Sequence, residues 1–219
     1  MLRNVRVTYS KQDRMKFISH LDMNRYMTRL IKISKIPAWH TEGFNKHLYL
    51  TFALPLSLGI TTDYDIVDLK IIDDNFTDEM IVDALNKNAA QGLHFISAGP
   101  IVMKTAELSF ALYELTVKDS NLNYLNAFKE FSLGKVMITE KKGKKGKVTL
   151  LNVAEKIKKI DCDIEDNQLK ISVILPAGNT ENINPTLILN AFKELGNREP
   201  EVFLVNRKML YNAALEEFK

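Results

Sequence analysis

Hydrophobic and polar positions recur with a period of two or of about 3.6 along the chain, which predicts a structure of both strands and helices. Residues 3–10 alternate, so we expect a strand with Val5 and Val7 inward and with Arg6 and Thr8 on its polar side. Residues 20–35 carry apolar side chains at helical spacing. Ser19 is placed to cap that helix, with Asp22 completing a capping-box-like pair.

The same reading predicts further elements in both halves of the chain. In the first half, we expect strands at 48–53, 65–72 and 93–97 and a helix at 78–90. In the second half, we expect strands at 108–117, 135–139, 147–151, 161–165, 169–175 and 202–205, helices at 121–131 and between Asn184 and Gly196, and a short helix at 152–158.

The first half therefore reads as β-α-β-β-α-β, which is the element order of the ferredoxin-like sandwich. We interpret the second half, which has more strands, as a repeat of that order. The sequence predicts an α+β protein made of two tandem ferredoxin-like sandwiches. The predicted domains are residues 1–104, and residues 105–219 with a lysine-rich hairpin.

Composition narrows the class of protein. Of the 219 residues, 46% are hydrophobic and 26% are charged, which is typical of a folded globular chain. The single cysteine, Cys162, excludes a disulfide framework and a zinc or iron–sulfur site built from cysteines of this chain alone. We expect no membrane partner and a cytoplasmic protein, because the sequence has neither a long apolar run nor a signal-peptide pattern.

The formal net charge of +3 conceals alternating blocks of opposite sign. Residues 1–47 carry +7, residues 48–134 carry −7, residues 135–159 carry +7 and residues 160–219 carry −4. Two basic blocks suggest a positive surface that attracts a polyanion such as RNA, although an ordinary solvated surface is the alternative.

Two clusters of cations are candidates for contact with nucleic acid. Arg25, Arg29 and Lys32 recur at i, i+4 and i+7 and so form one stripe on the predicted helix. The glycine-containing hairpin adds five candidates, which are Lys141, Lys142, Lys144, Lys145 and Lys147. Phosphate contact is favoured over the alternative of a solubilising hairpin tip.

Catalytic and metal-binding signals are weak. His20, Asp22, His40 and His47 supply possible ligands, but their spacing matches no known metal pattern. Phosphate-binding glycine loops and the nucleophile-elbow pattern are both missing from the sequence. The sequence therefore predicts no metal, no cofactor and no catalytic residue, and it leaves enzymatic activity uncertain, leaning towards none.

Two segments, KFISHLD at 16–22 and GFNKHLYLTFALPLSLG at 43–59, resemble a bacterial family of uncharacterised radical-SAM-linked (radical-SAM-associated) proteins. The matching residues are Phe17–Asp22, Gly43, Phe44, Asn45, His47, Phe52–Leu56, Leu58 and Gly59. The chain departs from the family pattern at Glu42, Lys46 and Leu48, where glutamine and two prolines are usual. That departure changes the charge and rigidity of the loop.

The resemblance implies a radical SAM protein as partner, with a role connected to RNA. Any radical chemistry would belong to that partner, because a radical SAM cluster needs several cysteines. His20, Asp22, Phe44, Asn45 and His47 are expected to form a polar pocket or the partner contact.

Three functional hypotheses follow. The first is a non-catalytic RNA-binding or substrate-presenting module that partners a radical SAM enzyme, with tRNA or rRNA as the ligand. The second is a metal-independent RNA-processing or RNA-modifying enzyme, which requires His20 and His47 to share one cleft. The third is a protein–protein adaptor.

Overall fold

The fold is described here from a computed structural model, which covers residues 2–142 and 148–219. The chain forms two compact units: unit 1 comprises Met1–Leu108 together with Glu217–Lys219, and unit 2 comprises Ser109–Glu216. The α+β class predicted from the sequence is confirmed. Residues 105–108 and 217–219, which belong to the second domain predicted from the sequence, fall in unit 1.

Unit 1 consists of four strands and two α-helices. They are β1 (Arg3–Lys11), α1 (His20–Ile33), β2 (Leu50–Phe52), β3 (Thr61–Ile71), α2 (Asp78–Asn88) and β4 (Leu93–Gly99). Strand β1 lies between β4 and β3, and β2 pairs with β3. All three pairings are antiparallel.

Local chemistry explains where the two helices of unit 1 begin. The Ser19 hydroxyl oxygen accepts the Asp22 N–H at 3.2 Å, and the same hydroxyl donates to the Asp22 carboxylate at 2.7 Å. Thr77 caps α2 by accepting the Met80 N–H at 3.3 Å. The apolar faces of α1 and α2 then cover one side of the sheet. The buried core comprises Val5, Val7, Met23, Met27, Leu30, Ile31, Leu69, Ile71, Ile81, Leu85 and Phe95.

The opposite, polar side of β1, which carries Arg6 and Thr8 as predicted, is buried as well. Arg6 is 4% exposed, and its guanidinium makes two 2.8 Å hydrogen bonds to Asp68, its cross-strand neighbour. Its remaining nitrogen donates to the carbonyl oxygens of Met103 and Lys219, both at 2.8 Å, and its plane lies 4.8 Å from the centre of the Phe218 ring. Residues distant in sequence therefore cover the polar side of β1.

The described residues of unit 2, 109–142 and 148–216, form six strands, the first of which begins at Leu108, and two α-helices. They are β5 (Leu108–Lys118), α3 (Leu122–Ser132), β6 (Ile138–Lys142), β7 (Val148–Asn152), β8 (Lys159–Glu165), β9 (Gln168–Pro176), α4 (Thr186–Glu194) and β10 (Val202–Asn212). The strands of its main sheet follow the order β10-β5-β9-β8, and β6 and β7 form a separate hairpin. Asp166 and Asn167 both have positive φ in the two-residue turn between β8 and β9, as a type I′ turn requires.

Aromatic rings dominate the interior between α3 and α4. Phe128 and Phe192 stack with centroids 4.5 Å apart and planes at 3°. Tyr124 and Phe131 contact Phe192 at 5.5 and 5.3 Å. Phe128 is fully buried, so this stack holds the two helices against the sheet.

Three predicted elements of unit 2 differ from the structure. The strand predicted at 202–205 continues to Asn212, and the one predicted at 135–139 lies at Ile138–Lys142. The short helix predicted at 152–158 is one 3₁₀ turn, Val153–Lys156.

An ion pair between a buried aspartate, Asp119, and a half-exposed arginine, Arg198, links the start of α3 to the loop after α4. Asp119 has no exposed side-chain surface, and both its oxygens accept Arg198 N–H groups at 2.7 Å. It also accepts the Asn121 N–H at 3.0 Å. The hydrogen bonds from Arg198, partly opposed by burial, lower the pKa of Asp119 from 3.8 to about 2.

We predict that this pair makes unit 2 acid-sensitive. Because the pKa of Asp119 is lower in the folded state, its contribution to stability is present above about pH 4 and is lost as the pH falls towards 2. Urea unfolding across that range should show a steeper loss of stability for the wild type than for Asp119→Asn. Equal slopes for the two proteins would contradict the assignment.

Candidate functional site

The three predicted cations of α1 lie on its exposed side. Arg25, Arg29 and Lys32 are all exposed, so their side chains are accessible to a polyanion. Arg25 also contacts Asp22 at 3.3 Å, with both side chains more than half exposed. Such an exposed pair contributes little to stability and exchanges readily for a phosphate.

Only part of the lysine hairpin is described. Lys141 pairs with Thr149 across the β6–β7 ladder, and its ammonium donates to the Asn182 carbonyl oxygen at 3.0 Å. Lys142 is the last described residue before the gap. Lys144, Lys145 and Lys147 lie outside the described residues.

A small cleft in unit 1 brings together two of the sequence segments that carry the family resemblance. His20, the first residue of α1, lies edge-on to Phe52 of β2, with ring centroids 5.1 Å apart. Leu54 and Leu56, from the segment after β2, line the same cleft. Segments 16–22 and 43–59 therefore meet at His20.

The cleft also contains buried polar residues that sequence analysis did not select. Tyr9 and Lys11 of β1 and Asp65 of β3 line it, at 2%, 3% and 1% exposure. Tyr9 lies opposite Asp65, and the register shifts between Tyr9 and Lys11. The Asp65 carboxylate accepts the Ile66 N–H at 2.8 Å. Lys11 at the end of β1 and Asp65 within β3 are charged residues that read as surface positions, so the signal was missing from the sequence.

The cavity volume of this cleft is about 10 Å³. Sites for small molecules usually enclose more than about 300 Å³. The cleft therefore has room for about one water molecule and is too small for a nucleotide.

Three residues of the expected pocket, Phe44, Asn45 and His47, lie in a separate loop, residues 41–47. The loop is closed by the Thr41 N–H, which donates to the His47 carbonyl oxygen at 2.8 Å. His47 Nδ1 lies 3.1 Å from both the Thr41 hydroxyl and the Asn45 carbonyl oxygen. Phe44 is fully exposed at the tip.

The polar contacts of Asp22 and His47 are made with residues outside the His20 cleft. Asp22 caps α1 and contacts Arg25, while His47 bonds within its own loop. The hypothesis of an RNA-processing enzyme needs both histidines in one cleft, and it gains no support from this arrangement.

Other reactive or metal-binding groups are few. Burial raises the pKa of the Cys162 thiol to about 11, with a smaller contribution from Asp161, so the thiolate is disfavoured. Across residues 2–142 and 148–219, no group of three or more His, Cys, Asp or Glu side chains is placed to hold a metal ion. No helix in the same ranges has the length and hydropathy needed to cross a membrane.

Known proteins offer limited comparison. No curated protein matches the chain. Among solved structures, a chain of a Cbf5-Nop10-Gar1 complex is 11% identical with a TM-score of 0.46, and the match covers 93% of this chain and 48% of that one. An unknown protein from Galdieria sulphuraria is 11% identical with a TM-score of 0.28, covering 92% of this chain and 100% of that one.

TM-scores of this size do not establish a shared fold, and this chain spans about half the length of the first of these structures. Family membership rests instead on a sequence profile that matches residues 4–185, which is most of both units. The chain belongs to the family described as "Uncharacterized protein conserved in bacteria (DUF2344)".

Proposed function

We propose that this chain is a non-catalytic module that binds RNA, or presents an RNA substrate, for a radical SAM enzyme. The observation that carries the RNA part is the exposed row of Arg25, Arg29 and Lys32 on α1. Cations spaced at i, i+4 and i+7 lie along one side of a helix and can contact successive phosphates.

Two further features support the proposal. The sequence of the β6–β7 hairpin adds five lysines in a basic block of +7, although most of them lie outside the described residues. The FISHLD and FNKH segments resemble the radical-SAM-linked family and suggest the partner. That partner would supply the cysteine-bound cluster that this chain lacks.

A fold assignment accompanies the functional one. We propose that both units are ferredoxin-like sandwiches, in keeping with the strand orders β4-β1-β3-β2 and β10-β5-β9-β8. The two orders are the same once the β6–β7 hairpin is treated as an insertion. Fold analogy alone does not establish RNA binding. The proposal of RNA binding therefore rests on the exposed cations of α1.

RNA binding should depend on the α1 row rather than on net charge. We expect the variant Arg25→Ala/Arg29→Ala/Lys32→Ala to bind a single-stranded RNA oligonucleotide and total tRNA much more weakly than the wild type. The matched control is Arg14→Ala/Lys46→Ala/Lys87→Ala, which removes three exposed cations elsewhere in unit 1. Equal losses in the two variants would show that only total charge matters.

Salt titration gives the second measurement. Three phosphate contacts on a single strand predict that affinity falls roughly 20-fold between about 50 and about 200 mM KCl. Phosphate contacts from the hairpin would make the wild-type dependence steeper than this, and replacing the five hairpin lysines by alanine would then bring it back to about 20-fold. Undetectable or salt-independent binding of the wild type would refute the RNA part.

The partner is tested by crosslinking in a cell lysate, reading co-purified RNA and co-purified protein separately. We expect both RNA and an iron–sulfur protein with a cysteine-bound cluster. Recovery of protein without RNA would favour the adaptor hypothesis instead.

A further inference from the structure

A groove beside the C-terminal half of α1 combines an apolar floor with a basic rim. Its floor is formed by Ile31, Ile36 and Leu48, which are 3–7% exposed. The rim is formed by Lys32, Lys35 and His40, all of them exposed. The groove therefore offers an apolar contact surface directly below three groups that can bind an anion.

The chain builds this groove by reversing direction after α1. The helix ends at Ile33, and Lys35 adopts a left-handed conformation with φ of 54°. The returning segment is then held by two isolated bridges, Ala38 to Ile71 and His40 to Leu48. The rim and the floor are thus fixed to the sheet of unit 1, which makes the groove a preformed feature.

Charge and size indicate what this groove can hold. The described residues that line it include two lysines and a histidine but no carboxylate, so the rim favours an anion. The cavity volume of the groove is about 270 Å³, close to the lower end of the usual range of about 300–1,000 Å³ for small-molecule sites. An occupant that matches both features carries a flat or apolar part and a negative group.

We propose that this groove binds a single unstacked nucleotide, with the base and ribose on the apolar floor and the phosphate on the Lys32, Lys35 and His40 rim. Lys32 belongs both to this rim and to the α1 row, so a strand held along α1 can place one nucleotide in the groove. The inference rests in this respect on the proposed RNA binding. A free nucleotide presents the same chemistry, and the experiment separates the two sources.

The test follows the methyl NMR signals of Ile31, Ile36 and Leu48. Adenosine 5′-monophosphate should shift these signals, whereas inorganic phosphate should leave them unmoved. Adenosine should bind about tenfold more weakly than the monophosphate, since it lacks the charge that the rim contacts.

Two variants make the test specific to the groove. Ala38→Leu places a larger side chain on the groove lining and should abolish the shifts, with its melting temperature confirming that it folds. Lys35→Asn introduces a residue that also tolerates left-handed φ. This variant should bind the monophosphate about tenfold more weakly than the wild type. The matched control, Lys87→Asn on α2, should bind like the wild type.

The outcomes separate this inference from the proposed function. If adenosine monophosphate leaves the floor methyls of the wild type unmoved, or moves them equally in Ala38→Leu, the groove is not a nucleotide site. A ten-nucleotide oligo(A) identifies the source. If it binds the wild type and shifts the same methyls, the strand places a nucleotide in the groove.

If oligo(A) does not bind while the monophosphate does, the groove takes a free nucleotide and the proposed RNA binding is wrong. Conversely, if oligo(A) binds α1 while neither ligand moves the floor methyls, the inference fails and the proposed function stands.

Discussion

Replacing Arg6 by alanine is expected to lower the free energy of unfolding of unit 1 by about 3–5 kcal/mol. The substitution leaves the Asp68 carboxylate buried, at 6% exposure, without its two hydrogen bonds from the guanidinium. It also removes the donor to the carbonyl oxygens of Met103 and Lys219. Urea unfolding followed by the fluorescence of Trp39, the single tryptophan and a unit 1 residue, measures the effect.

Arg3 provides the matched control in the same strand. Its ion pair with Asp78 is about one-third exposed on both sides, so Arg3→Ala should cost no more than about 1 kcal/mol. A second variant, Arg6→Met/Asp68→Leu, removes both charges and should recover much of the lost stability. If Arg6→Ala proves as mild as Arg3→Ala, the buried pair does not have the role assigned to it.

Replacing Phe128 by alanine is expected to cost about 3–5 kcal/mol in unit 2. The ring is fully buried and stacked on Phe192 between α3 and α4, so its loss leaves a cavity that rigid neighbours cannot fill. Hydrogen exchange of the α3 amides, residues 122–132, should accelerate accordingly, and it reports on unit 2 directly.

Two comparisons calibrate that prediction. Phe128→Leu retains most of the apolar volume and should cost clearly less than alanine. Phe44→Ala removes a fully exposed ring and should change stability by no more than about 0.5 kcal/mol. Slow α3 exchange in Phe128→Ala, close to the wild-type rate, would show that the stack is not stabilising.

The elements set by local chemistry were predictable from the sequence. Helix α1 begins at His20, as the Ser19 and Asp22 cap predicts, and α2 begins at Asp78 after the Thr77 cap. Both signals lie within three or four residues, so no tertiary information is needed.

Elements shaped by distant partners were not predictable. The strand β10 continues through Asn206, Arg207 and Lys208, a polar run that breaks hydrophobic alternation, yet Arg207 is only 1% exposed. The burial of Lys11 and Asp65 in the His20 cleft was not predictable for the same reason. A charged side chain gives no hydrophobic signal, so its burial is decided by tertiary packing that periodicity does not encode.

The candidate site was predictable only in part. The exposure of the α1 cations follows from helical spacing, whereas the groove beside them needs Ala38 and His40 to be brought back by bridges to Ile71 and Leu48. Pairings of this kind depend on the whole sheet of unit 1. The sequence alone shows the lysines but not the floor beneath them.

The membership of Phe218 and Lys219 in unit 1 has a consequence for synthesis on the ribosome. The Tyr64 hydroxyl donates to the Phe218 carbonyl oxygen, 154 residues further along the chain. At about 5–20 residues per second, translation from Tyr64 to Phe218 takes on the order of 8–30 s. During this interval Arg6 and Asp68 have each other, but Arg6 has neither the Lys219 carbonyl oxygen nor the Phe218 ring. The surroundings of this buried pair are therefore completed only after unit 2 has been synthesised.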